Sequence, residues 1–329
     1  MTHSLSHADE LTIDTYAQIL RSGGVVAFPT ETVYGLGASA HQLEAVNKIF
    51  ALKGRPADNP LIVHVSSYAM ILEFAAVIPD SARILIQKFW PGPLTLVFEK
   101  KKSVLDAVTA GLTSVAVRMP EHELALALID ASGPLVAPSA NKSGKPSPTR
   151  VSHVQEDFGN HIPVLDGGNC QIGLESTVLD VRKSPFVILR PGSVTASMIQ
   201  EKTGLEVIDI AGIPDQIHHT PASPGLKYSH YAPEKPVRWM NSDECEGQLH
   251  DSTLYLTHSG DYTPVKDRVV NFNRDYTLMG QSLYDWFRRS DKLHSLDIAV
   301  QPFTESDSST CQPALENRIS KAISRHNEK

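Results

Sequence analysis

The sequence predicts an α/β protein in two parts, a larger mixed sheet covered by helices and a smaller α/β unit behind it. Short apolar runs alternate with helical stretches of about 10–15 residues, which is typical of a sheet covered by helices. The runs STVLDVR and FVILR follow each other closely, which predicts a hairpin and therefore a mixed sheet. Composition changes near residue 211, where a stretch rich in proline and histidine interrupts the alternation.

Residues 1–210 are predicted to form the first domain. Residues 12–22 have helical spacing and end at Gly23-Gly24, a common helix stop. The later predicted helices are HQLEAVNKIFALKG, PDSARILIQKFW, HELALALIDASG and TASMIQEKTG. The predicted strands are VVAFP, PLIVHV, LTLVFE, SVAVRMP, PLVAPSA, PVLDGG, STVLDVR and FVILRPG.

Residues 211–236 are predicted to be a linker, and residues 237–329 a second, smaller domain. The linker is rich in proline and has little apolar periodicity, which favours an extended, semi-rigid chain. In the second domain we predict strands at STLYLTHS and LDIAVQPF, and helices at SLYDWFRRSDKL and ALENRISKAISRH.

Composition restricts the class of protein. The chain has 329 residues and a net charge of -7, which argues against a protein that clamps long nucleic acid but allows a local basic pocket. Its three cysteines form no CxxC pair, so neither a disulfide framework nor a cysteine zinc site is expected. Neither a secretory signal nor a membrane span is recognisable, so we expect a soluble, cytoplasmic protein.

The segment KGRPADNPLIVHV places Lys53 and Arg55 directly before an apolar strand. An arginine offers a planar fork for phosphate and a lysine a point charge, while the two prolines restrict the loop before a ligand arrives. We expect this loop to hold an anion. A solvated loop is the alternative for the two cations, and a hydrogen-bonded core histidine is the alternative for His64.

Two further segments place polar groups beside strands. In TSVAVRMP, alternation puts Ser114 and Arg118 on one face, and the arginine needs an anionic partner. That partner is either a structural carboxylate or the carboxylate of a ligand. In FPTETVYGLG, hydroxyls beside glycines suit a small polar ligand, although a strand-to-helix turn also explains them.

The most unusual segment is PLVAPSANKSGKPSPT, residues 134–149. It combines hydroxyls, an amide, two lysines and exposed backbone N–H groups, which suits a triphosphate, while a solvated surface loop is the alternative. It is not a Walker A loop. Downstream, a hydroxyl at Ser176 and a guanidinium at Arg190 lie at strand ends, where ligands of open α/β sheets bind. No catalytic nucleophile or metal-ligand spacing stands out.

Seven blocks occur in one order: PTETVYGLG, KGRPADNPLIVHV, FWPGPLT, VAVRMP, PSANKSGKPSPT, GLESTVLD and LRPGSV. Their order and spacing resemble the YrdC/Sua5 family of threonylcarbamoyl-AMP synthases. The linker SPGLKYSHYAP and the C-terminal tail are similar to the longer, two-domain Sua5 form. The resemblance implies an open, twisted mixed sheet (YrdC-like) with a basic concave surface, followed by a small Rossmann-like domain.

The resemblance also implies an activity. The family is a group of nucleotidyltransferases that make L-threonylcarbamoyladenylate from L-threonine, bicarbonate and ATP, and release pyrophosphate. Mg2+ would be carried in with the nucleotide, and no metal would be held by the protein itself. The product would pass to a complex that modifies adenosine 37 of tRNA, and we expect weak or no direct binding of tRNA to this chain.

The resemblance assigns roles to individual residues of this sequence. Lys53 and Arg55 would be the catalytic cations. Threonine would be contacted by Thr32, His64, Arg118, Ser139 and Ser176. ATP would be contacted by Arg55, Asn59, Ser114, Asn141, Thr149, Arg190 and Tyr231. The linker, with Lys227, His230 and Tyr231, is expected to close over the site as a lid; a spacer without a role in the site is the alternative.

Three alternatives come from other classes. A nucleic-acid-binding module could use the same basic surface, although the acidic total and the lack of an aromatic and basic stripe argue against it. A carbamoyltransferase with this domain would carry zinc-finger and acylphosphatase-like segments, which the sequence does not show. A paralogue without synthase activity would be expected to lose the KGR and SAN motifs, and both are present.

Overall fold

The computed structural model describes residues 7–209, 231–260, 262, 268–304 and 309–327. Within these residues the chain forms a nine-stranded sheet followed by a four-stranded sheet, both flanked by helices. The predicted mixed α/β fold is therefore confirmed. None of the helices in these ranges is both long and apolar enough to cross a membrane.

The elements have the following bounds. The strands are Val26–Phe28 (β1), Gly35–Ser39 (β2), Ile62–His64 (β3), Leu94–Glu99 (β4), Ser114–Arg118 (β5), Leu135–Val136 (β6), Thr177–Asp180 (β7), Phe186–Arg190 (β8), Val207–Asp209 (β9), Val237–Trp239 (β10), Thr253–Thr257 (β11), Val269–Asn271 (β12) and Asp297–Val300 (β13). The helices are His7–Arg21 (α1), Leu43–Lys53 (α2), Tyr68–Phe74 (α3), Asp80–Phe89 (α4), Asp106–Thr109 (α5), Glu123–Ser132 (α6), Val151–Phe158 (α7), Ala196–Thr203 (α8), Ser242–Cys245 (α9), Tyr276–Ser290 (α10) and Gln312–Asn327 (α11).

The first sheet has the strand order β1-β2-β6-β3-β5-β4-β7-β8-β9. The pairs β3–β5, β4–β7 and β8–β9 are parallel and the others are antiparallel. The predicted hairpin is present as β7 and β8, which pair antiparallel with a register shift at Val178 and Leu179. In the second sheet, four parallel strands lie in the order β10-β13-β11-β12, the small Rossmann-like arrangement that was expected.

Two strand predictions fail at prolines. The segment PVLDGG forms only a single bridge, between Val164 and Ala27, and PLVAPSA shortens to the two residues of β6. Proline has no N–H to donate to a ladder, and prolines flank both segments. We keep the division into residues 1–210, 211–236 and 237–329 as a prediction; the two sheets lie on either side of residues 211–236.

The two faces of the first sheet are covered differently, and this difference positions the site. Helices α2–α5 and α8 pack on one face, where Val63, Val115 and Val117 are buried in the main core. On the other face, α1 and α6 cover the part near β1 and β6. Its centre holds only a small apolar cluster, which includes Ile62 and Ala116. That central part of the sheet forms the floor of a cleft.

Candidate active site

The cleft lies along the face of β3 and β5 and has a volume of about 770 Å³, including its open mouth. The cleft includes the ends of β3, β5 and β8 and also runs along β3, so binding of a ligand at strand ends stays a prediction. His64 pairs with Arg118 where β3 and β5 end, whereas Pro60 and Arg55 line the cleft just before β3 begins. Pro60 and His64 are four residue steps apart, so at the roughly 3.3 Å rise of a strand the cleft is about 13 Å long.

The residues predicted to bind threonine and those predicted to bind ATP lie at different places along this cleft. His64 and Arg118, expected to hold threonine, lie at one end, which we call the threonine end together with Thr32. Residues expected to hold ATP lie towards the other end, which we call the nucleotide end; those that line the cleft are Arg55, Asn141, Arg190 and Tyr231.

Arg118 at the threonine end has a structural partner. Its Nη2 lies 2.6 Å from Glu31 Oε1, its Nη1 donates to Thr32 Oγ1 at 2.8 Å, and its Nε donates to Gly92 O at 3.2 Å. Both members of the ion pair are buried. Of the two partners that the sequence left open, the structure shows the structural carboxylate. Arg118 also lines the cleft, so a ligand carboxylate would share its guanidinium with Glu31.

His64 is buried and neutral. Desolvation, assisted by the charge of Arg118, lowers its pKa to about 3, and its Nδ1 lies 3.3 Å from Ile62 O. With Nδ1–H donating to that carbonyl, Nε2 is left as a hydrogen-bond acceptor. The ring meets the edge of Phe28 with centroids 6.0 Å apart. His64 is therefore a packed core histidine that also lines the cleft, and its contact with a ligand stays a prediction.

Lys53 ends α2, and its ammonium holds the opposite loop. Nζ donates to Ser139 O and to Asn141 O, each at 2.5 Å. Burial, followed by the nearby charge of Arg55, lowers the pKa of Lys53 well below its usual range. We expected Lys53 to face phosphates. The structure shows an ammonium that lines the cleft but is directed at two backbone carbonyls.

Arg55 is positioned by its own loop. Gly54 ends α2 in the left-handed region, with φ 60°, which a glycine adopts without strain. Arg55 Nη2 then donates to Pro60 O at 2.9 Å, and Nε lies 3.3 Å from Asn59 O. These contacts brace the loop before β3, as the proline content of KGRPADNP predicted.

The SAN segment presents an acceptor to the cleft. Asn141 Nδ2 donates to Lys142 O at 2.8 Å and to Lys145 O at 2.9 Å, which fixes the orientation of the amide. Its Oδ1 is buried and has no hydrogen-bond partner among the described residues. Asn141 lines the cleft, so a ligand that donates a hydrogen bond would satisfy this oxygen.

Arg190 and Ser176 are tied to each other. Arg190 donates from Nε to Ser176 O and from Nη2 to Ser176 Oγ, both at 3.1 Å. The hydroxyl of Ser176 lies 2.8 Å from that of Thr95. These side chains are buried, and burial lowers the pKa of Arg190. Both predicted residues therefore lie together in the cleft wall.

Glu175, which precedes Ser176, was missed by sequence reasoning. It lines the cleft and is 7% exposed. Burial opposes its ionisation, but the guanidinium groups of Arg318 and Arg190 outweigh burial and lower its pKa. Ser147 Oγ donates to Glu175 Oε1 at 2.6 Å, and Arg318 Nε donates to Oε2 at 2.7 Å. A carboxylate within GLESTVLD was the one available signal.

Arg318 belongs to α11 of the second domain, which therefore contacts a residue of the cleft wall without lining the cleft itself. Tyr284 of α10 also donates to Glu175, at 3.0 Å to Oε2. The ring of Tyr231 stacks on Tyr284 at 5.7 Å, and the guanidinium of Arg318 lies 5.3 Å from the Tyr231 centroid. Tyr231 is buried and lines the cleft.

A second contact from this domain reaches Thr149. Thr149 N donates to His153 Nδ1 at 3.2 Å, and His153 Nε2 lies 3.1 Å from Asp285 Oδ1 on α10. Burial, and then the charges of Arg288 and Arg150, lower the pKa of His153 to about 3. Nδ1 accepts from the backbone N–H of Thr149, and Nε2 lies 2.9 Å from Arg150 Nε as well as close to Asp285.

The cleft collects most of the predicted site residues. Those that line it are Thr32, Lys53, Arg55, His64, Arg118, Ser139, Asn141, Ser176, Arg190 and Tyr231. Three others, Asn59, Ser114 and Thr149, are buried without lining it. Of the predicted lid, Lys227 and His230 lie outside the described residues.

Two family models match the chain. The model described as "Telomere recombination" (Sua5_yciO_yrdC) matches residues 18–192, and the model described as "Threonylcarbamoyl-AMP synthase, C-terminal domain" matches residues 194–324. The chain belongs to the two-domain Sua5 family. Both parts of the sequence resemblance are thereby confirmed.

Relatives with the family name are about half identical to this chain. "Threonylcarbamoyl-AMP synthase" of Pyrococcus abyssi is 50% identical over 231 residues, which cover 70% of this chain and 68% of the relative. The Bacillus subtilis protein of the same name is 51% identical over 224 residues, covering 67% of this chain and 64% of the relative. The matched stretches thus span about two thirds of these relatives.

A solved structure matches nearly the whole chain. P. abyssi Sua5 complexed with L-threonine superposes with a TM-score of 0.84 at 38% identity, covering 98% of this chain and 96% of that one. The second domain is therefore shared as well as the first.

Proposed function

We propose that this chain is an L-threonylcarbamoyladenylate synthase, a nucleotidyltransferase that uses L-threonine, bicarbonate and ATP and releases pyrophosphate. The observation that carries this proposal is one cleft with a guanidinium and a neutral imidazole at one end and further guanidinium groups at the other. Family membership and the threonine complex of P. abyssi Sua5 support it.

The threonine end has complementary groups for an amino acid. The Arg118 guanidinium would pair with the carboxylate, and Nε2 of His64 would accept a hydrogen bond from the amine or hydroxyl. Because His64 is neutral, it adds no positive charge beside an amine that must lose its proton before it reacts. Thr32, Ser139 and Ser176 supply further hydroxyls along the cleft.

The nucleotide end suits a triphosphate. Arg55 and Arg190 lie at this end and would offset phosphate charge, with Mg2+ carried in by the nucleotide. The buried Oδ1 of Asn141 would accept a hydrogen bond from a ribose hydroxyl or a water on the metal. Lys53 would act by fixing the Ser139–Asn141 segment, which is a positioning role.

The reaction needs no protein nucleophile. The threonine nitrogen attacks the carbon of bicarbonate, and loss of water gives an N-carboxylate. A carboxylate oxygen then attacks the α-phosphorus of ATP in line; the bond to the bridging oxygen breaks, and pyrophosphate leaves with that electron pair. Orientation of bound reactants lowers barriers by roughly 7–11 kcal/mol in favourable cases, which is the contribution expected of this cleft.

The product, a mixed anhydride, is open to hydrolysis and would be passed to a transferase complex that modifies adenosine 37 of tRNA. The net charge of -7 supports little or no direct tRNA binding by this chain. Tyr231, at the end of the predicted linker, lines the cleft, which supports a lid that excludes water.

The test is pyrophosphate release from ATP with bicarbonate, measured with and without L-threonine. We expect release that depends on threonine and falls at least about 100-fold in Arg55→Ala, because a charged contact to the reacting phosphates is lost. Arg83→Ala, which removes an exposed arginine of α4, serves as the matched control. Release that ignores threonine would overturn the proposal.

A further inference from the structure

Glu175 presents an electrostatic problem at the nucleotide end. Its carboxylate lines the same cleft as Arg190 and Tyr231, and its lowered pKa keeps it charged. A buried negative charge there repels a triphosphate, and the repulsion is strong because water does not screen it well. Either the nucleotide does not bind in this cleft, or another group offsets Glu175.

The second domain supplies that group. Arg318 is fully buried on α11 and donates to Glu175 twice, from Nε to Oε2 at 2.7 Å and from Nη2 to the backbone oxygen at 3.4 Å. The two residues are 143 positions apart. Arg318 itself does not line the cleft. Its charge acts on the site through the carboxylate that it contacts.

We propose that Arg318 is a positioning residue which neutralises Glu175, so that the nucleotide end accepts a triphosphate only while α11 is docked against the first domain. The inference rests on the proposed ATP site and assigns the second domain a part in it. ATP affinity would therefore report the contact between the domains.

Neighbouring contacts support a single docking unit at this place. Arg325, two turns further along α11, donates to Gly144 O at 2.6 Å and to Ala232 O at 3.0 Å. The first carbonyl belongs to the SAN-containing loop and the second to the end of the predicted linker. Docking of α11 thus holds Glu175, the loop and the chain beside Tyr231 together.

Two other roles of Glu175 would give opposite results. If the carboxylate held Mg2+ or the nucleotide directly, its neutralisation would weaken ATP binding. If the pair with Arg318 were only a structural link between domains, loss of either partner would weaken ATP and threonine binding alike. Neutralisation by Arg318 predicts that removal of the Glu175 charge strengthens ATP binding.

The experiment measures binding of Mg·ATP and of L-threonine by calorimetry to the full chain, with steady-state KM and kcat as second readouts. In Arg318→Gln we expect Mg·ATP binding to weaken at least about tenfold and KM for ATP to rise in proportion, while threonine affinity stays within about threefold. In Glu175→Gln, which can still accept from Ser147, Mg·ATP should bind about threefold more tightly. The double variant should recover most of the affinity lost in Arg318→Gln.

Two further variants complete the test. Arg238→Gln breaks a different arginine–glutamate pair of the second domain, with Glu244 at 2.6 Å, and should not change ATP affinity. Arg318→Lys keeps the positive charge but loses the planar fork, so it should lose less ATP affinity than Arg318→Gln. If Arg318→Gln does not fold, Arg318→Lys and Glu175→Gln still decide the matter.

Any of four results overturns the inference. These are an unchanged ATP affinity in Arg318→Gln, an equal loss in Arg238→Gln, no recovery in the double variant, and weaker ATP binding in Glu175→Gln. If the wild type binds Mg·ATP with the expected variant pattern but releases no pyrophosphate with threonine, the proposed function fails and the inference stands. A wild type that binds no Mg·ATP overturns both.

Discussion

Two buried arginine–glutamate pairs flank the cleft, and they differ in where their members come from. At the threonine end, Arg118 and Glu31 both belong to the first domain. At the nucleotide end, Glu175 belongs to the first domain and Arg318 to the second. The first pair therefore forms when the first domain folds, whereas the second forms only when the domains dock.

The two ends of the cleft therefore depend on different parts of the chain for their geometry. Arg118 and His64 occupy paired positions of β5 and β3, and Arg118 is also held by Thr32 and Glu31, so the first domain alone fixes their geometry. The nucleotide end also depends on α10 and α11, through Glu175 and through His153 beside Thr149. We infer that threonine recognition is a property of the first domain and that ATP recognition is a property of the assembled chain.

The largest expected effect is a loss of activity with threonine that leaves ATP binding unchanged. Arg118→Lys keeps the charge but loses the planar fork that contacts Thr32 and Glu31 together. We expect kcat/KM for threonine to fall by at least about 100-fold, because misplacement by about 1 Å has that effect. ATP affinity should stay within about threefold. The matched control is Arg182→Lys, which changes a partly exposed arginine that pairs with Asp180. If Arg118→Lys lost ATP affinity as well as threonine activity, the two ends of the cleft would not be independent.

A smaller effect is expected where the predicted linker ends. Tyr231→Ala removes a ring that stacks on Tyr284, a contact worth about 0.5–1.5 kcal/mol, and it opens the cleft wall. KM for ATP should rise up to about tenfold, and hydrolysis of ATP without product should increase. Tyr231→Phe keeps the ring and should lie close to wild type. Unchanged ATP kinetics in Tyr231→Ala would contradict a role for this residue in closing the site.

The smallest expected effect is on the pH dependence of the free energy of unfolding, to which His64 and His153 both contribute. His64 and His153 each have a folded-state pKa of about 3, below the roughly 6.5 of the unfolded chain. Between those values the unfolded state binds more protons, so stability is complete above pH 6.5 and falls as pH is lowered towards 3. The slope is up to about 1.4 kcal/mol per pH unit for each histidine.

Urea denaturation between pH 7.5 and 5 measures this slope. His153→Gln removes one titrating ring and should lower the slope by up to about 1.4 kcal/mol per pH unit, while His64 and His122, whose pKa burial also lowers, keep the rest. His41→Gln, which makes the same substitution at an exposed histidine beside Glu73, is the matched control. A slope equal to that of wild type in His153→Gln would show that this ring is not kept neutral in the folded state.

The sequence by itself determined the local structure and much of the site. Alternation in SVAVR placed Arg118 opposite the buried valines, and the observed β5 agrees because the period of a strand depends only on neighbouring residues. Proline content predicted a braced loop around Arg55. The ordered blocks were sufficient to identify the family, since each preserves a local arrangement of backbone and polar groups.

Only the tertiary structure decided which charges meet. The sequence showed that Arg118 needed an anion but not that Glu31 supplies it, and it did not show that Lys53 donates to the carbonyls of Ser139 and Asn141. It gave no indication that Arg318 reaches Glu175, because residues 143 positions apart in different domains share no local pattern. A buried charge requires a partner in space, and that partner is set by how the helices of the second domain pack on the first sheet.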